Sequence, residues 1–354
     1  MESDLLIAVS AFFLSFFLIR CLKPAACRVG LLDQPDERKQ HAGIVPLVGG
    51  LAIYLTIMIL GFLFLSNTLL LDSYLIAAGM MTIIGALDDR YDLRVSIRVL
   101  STFAATAVTM IWAGMMFSDL GNVFGLGDVS LPVWLAAPFT LVAAFGVVNA
   151  YNMIDGLDGL SAGVTMLSLS SILVAGNPTG YMAPLIIIMI LAITAFQLYN
   201  LQISRRLKKV FLGDAGSMLI GFSIIFLIEY YSQPRGARGV MFEPVTGLFF
   251  IGLPLVDMVT TVLRRLFKKQ SPFKADRTHA HHILLRAGFT PKMAMLILVL
   301  ISAIFNLTGL YLDYVGMESN WQILIFLLYS FAYYKMIKRA YKFSRFLRSK
   351  LTYA

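Results

Sequence analysis

Apolar runs recur along almost the whole chain, near residues 4–22, 47–66, 72–87, 99–117, 132–150, 161–177, 181–199, 215–231, 244–263, 293–312 and 321–336. A helix needs roughly 17 to 25 apolar residues to cross the hydrocarbon of a bilayer. No water is available there, so each backbone N–H and C=O must be satisfied inside a helix or a closed barrel. Runs of this length therefore predict an all-α polytopic membrane protein with about eleven transmembrane helices. Composition agrees: 14% of residues are charged and 58% hydrophobic, where a soluble domain carries about 25% charged residues.

Lys and Arg set the expected orientation. If connections alternate, one side receives 23–46, 88–98, 149–160, 201–213, 264–292 and the C-terminal tail. That side holds Arg205, Arg206, Lys208, Lys209, Arg264, Arg265, Lys268 and Lys269, whereas the other has only Arg235 and Arg238. The positive-inside rule makes the crowded side cytoplasmic. The N-terminus is then periplasmic and the C-terminus cytoplasmic. The net charge of +9 reads as topology and affinity for anionic lipid, so no nucleic-acid partner is expected. Met1–Asp4 carries no basic n-region, and the first run reads as a retained helix rather than a cleaved leader. Cys21 and Cys27 fall on the reducing side and read as buried small hydrophobes, not a disulfide. The expected organisation is one integral-membrane domain over 1–336 and a basic cytoplasmic tail over 337–354.

Four polar clusters interrupt the oily pattern, each at the cytoplasmic edge of a run. The first is Asp88-Asp89-Arg90-Tyr91-Asp92, with Arg94 and Arg98 close behind. Adjacent carboxylates repel, and a site that keeps both ionised usually supplies a cation or a hydrogen-bond network. Mg²⁺ suits such a pair, because it is held by one or two carboxylates together with substrate phosphates. In the second cluster, Asn149, Asn152, Asp155 and Asp158 recur every third residue, broken by Gly156 and Gly159. Two amides and two carboxylates at the end of a membrane span are expensive as mere structure. The third, Gly213-Asp214-Ala215-Gly216-Ser217, opens a helix, where Asp214 can be an N-cap or a metal ligand. The fourth is His279-Ala280-His281-His282. No cysteine lies nearby to complete a zinc site, so hydrogen bonding to a phosphorylated sugar fits better. Asp257 sits inside a run two turns before Arg264 and Arg265, and either pairs with a basic neighbour or positions one.

Taken in order, these segments resemble the polyprenyl-phosphate N-acetylhexosamine-1-phosphate transferases. The resemblance rests on Pro46–Gly50 after Lys39-Gln40-His41, then DDRYD (88–92), NAYNMIDGLDGL (149–160), VFLGDAGS (210–217), PLVDMVTTVLRR (254–265), SPFKADRTHAHH (271–282) and Arg286–Thr290. It covers almost the whole chain, and the HxHH form with Arg265 upstream resembles the GlcNAc branch. Ala280 departs from the branched aliphatic residue frequent there.

The resemblance implies transfer of GlcNAc-1-phosphate from UDP-GlcNAc to undecaprenyl phosphate with release of UMP, the step that begins cell-surface polysaccharide synthesis. It implies a multi-pass protein of the bacterial inner membrane. Asp88, Asp89 and Asp214 would be catalytic and would hold Mg²⁺, or Mn²⁺ in its place. Arg98, Asn149, Asn152, Asp155, Asp158, Arg265, His279, His281 and His282 would bind substrate. UDP-GalNAc, UDP-QuiNAc or UDP-FucNAc as donor, and a homodimeric assembly, stay open. A transporter or lipid flippase is the competing class, but it would place charges near the bilayer midplane in broken helices.

Overall fold

The computed structural model describes residues 2–33, 43–65, 68–176, 182–234, 239–271 and 279–351, with side chains described from Leu5 to Ala340 within them. Among the described residues the regular structure is helical apart from one small hairpin and two isolated bridges. Helix α1 (Glu2–Val29) leads into strands β1 (Leu32–Asp33) and β2 (Val45–Pro46), which pair antiparallel. Cys21 and Cys27 lie on the outer surface of α1 and are exposed, not buried as expected. Helices α2 (Gly49–Phe64), α3 (Leu69–Tyr91), α4 (Val95–Ala113), α5 (Val133–Ile154), α6 (Leu160–Ala175), α7 (Met182–Asn200) and α8 (Gly213–Ser232) follow. The last third contains α9 (Pro244–Phe250), α10 (Gly252–Phe267), α11 (Ala280–Arg286), α12 (Pro291–Tyr314) and α13 (Ser319–Leu351).

Within the described residues, each of the eleven apolar runs falls mainly on a helix or a helix pair. Among the described residues, seven helices are long and apolar enough to cross a membrane, or eight if the bent pair α9–α10 is one span. Helices α2 and α6 are apolar but only 16 residues long. The run at 72–87 is longer than its apolar core implies, because α3 continues through Asp88 and Asp89 to Tyr91. The run at 99–117 ends early, where Gly114 caps α4 in the left-handed region. Helix α13 carries the run at 321–336 and continues without a break into the basic tail.

The run at 244–263, expected as one straight helix, is bent by 82° between α9 and α10. Pro254 explains the bend. It has no N–H to donate to the carbonyl of Phe250 one turn earlier. The Ser168 hydroxyl takes that carbonyl instead, at 2.6 Å, and lies 2.7 Å from the Tyr151 hydroxyl. In an apolar interior a freed carbonyl must find such a partner.

Helix α8 is the central element. Buried residues make up 94% of its most apolar stretch, and α3, α5 and α2 pack against it. A helix apolar on every side belongs in the middle of a bundle. Close approach needs missing side chains. A Cβ on Gly50 or Gly85 would collide with the backbone of residues 214–216. The start of α8 is also stitched to the start of α2: Gly49 N–H donates to the Phe211 carbonyl and Gly50 N–H to that of Leu212, both at 3.0 Å. Deeper in, the Tyr74 and Ser223 hydroxyls pair at 2.8 Å between α3 and α8.

Candidate active site

The first three polar clusters converge where the C-terminal ends of α3 and α5 meet the N-terminal end of α8. Asp88 is buried at the end of α3. Its Oδ1 accepts the Leu93 N–H at 2.7 Å, and its Oδ2 accepts from Arg98 at 3.1 Å. Asp214 lies in the first turn of α8, near enough to Asp88 for the two carboxyls to share a hydrogen bond and to repel when both are charged. Asn152 Nδ2 donates to Asp214 Oδ1 at 2.6 Å and to the Ser217 hydroxyl at 2.9 Å. Asp214 is therefore not the N-cap that local sequence allows.

Asp89 takes the capping position from a neighbouring helix. Its Oδ1 accepts the Asp214 N–H at 2.8 Å and its Oδ2 the Ala215 N–H at 3.2 Å. Helix starts leave such N–H groups without intrahelical partners, and a carboxylate there also favours the helix dipole. Asp89→Ala should lower stability by about 1–2 kcal/mol, the usual effect of losing a cap. Thermal unfolding in detergent reads this directly, and an unchanged midpoint would free Asp89 for another role.

The second cluster surrounds that pair. Asn149 donates to the Phe145 carbonyl of its own helix at 2.7 Å. With Arg98, Thr102, Val148, Asn152 and Met218 it lines a small cleft between α4, α5 and α8. Arg98 Nε is buried without a hydrogen-bond partner, while the side chain as a whole stays 29% exposed. Asp155 follows α5 directly and is open to solvent. Asp158 pairs with Lys209 at 2.6 Å. Asn200, at the end of α7, fixes this loop by accepting the Gly159 N–H at 2.7 Å and donating to the Val210 carbonyl at 3.1 Å.

The histidine cluster is brought to the same place. His279, His281 and Arg265 are buried, and His282 is half-buried. The His281 ring lies so close to Gly156 that a Cβ there would overlap it. Burial first, and then the neighbouring His282 and His279, hold the His281 imidazole down at about 3, so it is neutral at physiological pH. His281 and His282 tilt together with ring centres 4.1 Å apart. Asp257 is buried on α10. Its carboxylate meets His279 Nδ1 at 2.8 Å, the Ala280 N–H at 3.1 Å and the Tyr333 hydroxyl at 2.9 Å. Lys39, Gln40, His41 and residues 272–278, which include Arg277, lie outside the described residues.

Ser217, Asn200 and Tyr333 were not singled out by sequence. Each acts across a long separation, and only Ser217 falls inside a polar motif. The oxygen-rich set around Asp88 and Asp214, with Arg98 beside it, fits a hard divalent cation. Mg²⁺ needs only one or two carboxylates when phosphates and water complete its shell. Among the described residues no group of three or more His, Cys, Asp or Glu side chains is arranged to hold a metal ion.

The family model described as glycosyl transferase family 4 matches residues 71–231, the stretch that carries Asp88, Asp89, the Asn149–Gly159 segment and Asp214. Over nearly its whole length the chain is similar to proteins named undecaprenyl-phosphate alpha-N-acetylglucosaminyl 1-phosphate transferase. That of Escherichia coli K12 is 38% identical, with 97% of this chain and 95% of the relative aligned. Those of Yersinia pestis and Pasteurella multocida are each 35% identical over 97% of this chain and cover 93% and 96% of the relatives. With likeness at this level running nearly from end to end, the chain belongs to glycosyl transferase family 4, among the polyprenyl-phosphate N-acetylhexosamine-1-phosphate transferases.

Proposed function

We propose that this protein transfers GlcNAc-1-phosphate from UDP-GlcNAc to undecaprenyl phosphate, giving undecaprenyl-diphospho-GlcNAc and UMP. The observation that carries this reading is the Asp88–Asp214 carboxyl pair, with Arg98 on one side and the histidine cluster brought up against the Asp155-Gly156 loop. The lipid phosphate attacks the phosphorus that bears the sugar, and the bond to UMP breaks. A phosphate monoester has a second pKa near 6, so the nucleophile needs little activation at neutral pH. Bringing two anions together is the harder task. Mg²⁺, or Mn²⁺ in its place, would be held by Asp88 and Asp214 and would supply positive charge between the phosphates. Asp89 keeps Asp214 in place through the start of α8. Arg98, whose side chain stays partly exposed, receives the lipid phosphate, while Asn149 and Asn152 order the cleft. Asp155 and Asp158 shape its mouth, and Arg265 with His279, His281 and His282 faces the sugar diphosphate.

Purified membranes given undecaprenyl phosphate and a panel of UDP-sugars test the reading through UMP release. UDP-GlcNAc should be the preferred donor. Preference for UDP-GalNAc, UDP-QuiNAc or UDP-FucNAc would keep the chemistry and change the sugar, and no UMP from any of them would overturn the proposal.

The reading places the site on the cytoplasmic face of a bacterial inner-membrane protein with eleven crossings. Its support is that the eleven apolar runs fall mainly on helices and that Lys and Arg gather on one set of connections. After Cys21→Ser and Cys27→Ser, an impermeant maleimide should reach Asn177→Cys from the periplasm and Lys268→Cys only from the cytoplasm. Periplasmic labelling of Lys268→Cys would invert this placement.

A further inference from the structure

We infer that Asp257 and Tyr333 are positioning residues for the sugar-diphosphate end of the site, holding His279 by its Nδ1 so that its Nε2 is the nitrogen left for substrate. The inference rests on the reaction proposed above and adds to it two residues, one from the last helix, to which that reading gives no part.

The geometry is specific. Asp257 is buried on α10 and 4% exposed, and His279 is 6% exposed. Asp257 Oδ2 lies 2.8 Å from His279 Nδ1. Its Oδ1 accepts two further bonds, from the Ala280 N–H at 3.1 Å and the Tyr333 hydroxyl at 2.9 Å. An ionised carboxylate only accepts. The imidazole nitrogen facing it must therefore carry the proton, because the partner of one ring nitrogen decides the state of the other.

Three donors from two other segments converge on this one carboxylate. Ala280 is the first residue of α11, so the bond to its N–H fixes where the helix begins. Tyr333 comes from the middle of α13 and is itself buried. Its hydroxyl sets the rotation of the carboxylate, and the carboxylate sets the ring.

The orientation is passed on toward the cleft. The His279 and His281 rings are parallel within 6° at a centre separation of 6.0 Å, and His281 lies against Gly156 beside Asp155. A His279 ring that turned would disturb the contact between the histidine cluster and the acidic loop. Partners that orient a metal-bound imidazole typically matter by about 10- to 100-fold, and the same orienting argument applies to an imidazole that meets substrate.

The test uses the full-length protein in lipid nanodiscs with ¹⁵N-labelled histidine. The chain has only four histidines, so their ring nitrogens can be assigned by substitution. At mildly alkaline pH the wild type should show one Nδ1–H tautomer that disappears in His279→Ala. Asp257→Asn should alter that signal and raise KM for UDP-GlcNAc by about ten-fold or more, with a smaller change in kcat. Tyr333→Phe, which keeps the ring and loses one hydroxyl, should raise KM in the same direction with its fold intact. It therefore carries the test if Asp257→Asn fails to fold. An Nε2–H tautomer at His279 in the wild type would overturn the inference. So would variants that lose thermal stability but keep the wild-type KM, which would make Asp257 a staple between helices. A wild type that releases UMP normally while both variants keep its KM sinks the positioning role alone. A wild type that releases no UMP from any UDP-sugar sinks the reaction and the positioning role together.

Discussion

Asp214→Asn should leave the protein folded in the membrane but slow UMP release by roughly 10²- to 10³-fold, the scale of losing a preorganised electrostatic contact at a reacting centre. The substitution preserves shape. Its carbonyl can still accept from Asn152, now 2.6 Å away, and its amide can donate toward Asp88 where two carboxyls repel. Stability should hold or rise. What disappears is an anionic oxygen, and a hard cation between phosphates depends on that charge. Turnover measured across a Mg²⁺ series, beside thermal unfolding of the same sample, checks both halves. A wild-type rate at limiting Mg²⁺ would remove Asp214 from the chemistry.

Gly156→Ala should be nearly as damaging for a different reason. The added methyl would overlap the His281 ring, and both partners are confined. His281 is buried within α11, while the 155–159 loop is tied to Asn200 and by Asp158 to Lys209. One of them must move by about an ångström, and a displacement of that size in a catalytic site can cost on the order of 100-fold in rate. The spans themselves should insert normally. Wild-type UMP release by Gly156→Ala would show that the histidine cluster and the acidic loop do not work as one site.

Much of this was legible in the chain itself, for reasons that separate clearly. The helices were visible because lipid forbids other backbone arrangements, and an apolar run announces its own length. The clusters were visible because carboxylates, amides and imidazoles at the ends of such runs are out of place. What could not be read was the partner of each group. Asp88 and Asp89 are neighbours with the same side chain, yet one meets Arg98 and the other caps α8. That difference comes from helical phase and from where α8 begins, both set by packing. Asp257 stood two turns from two arginines, but its bonds run to His279, Ala280 and Tyr333, the last 76 positions away. The elbow between α9 and α10 left a local trace in Pro254, whereas the Ser168 hydroxyl that makes it tolerable comes from 82 residues earlier.

That elbow has a consequence for how such a protein can diversify. The carboxylates and amides are mounted on α3, α5 and α8, which clasp one another through the middle of the bundle. Arg265, Asp257 and the histidines are carried beyond Ile251 on α10 and α11 and braced by α13. The molecule is built like a vise with one fixed jaw and one replaceable jaw. On the proposed roles, substitutions beyond the 82° turn would alter sugar preference while leaving the phosphate chemistry in place.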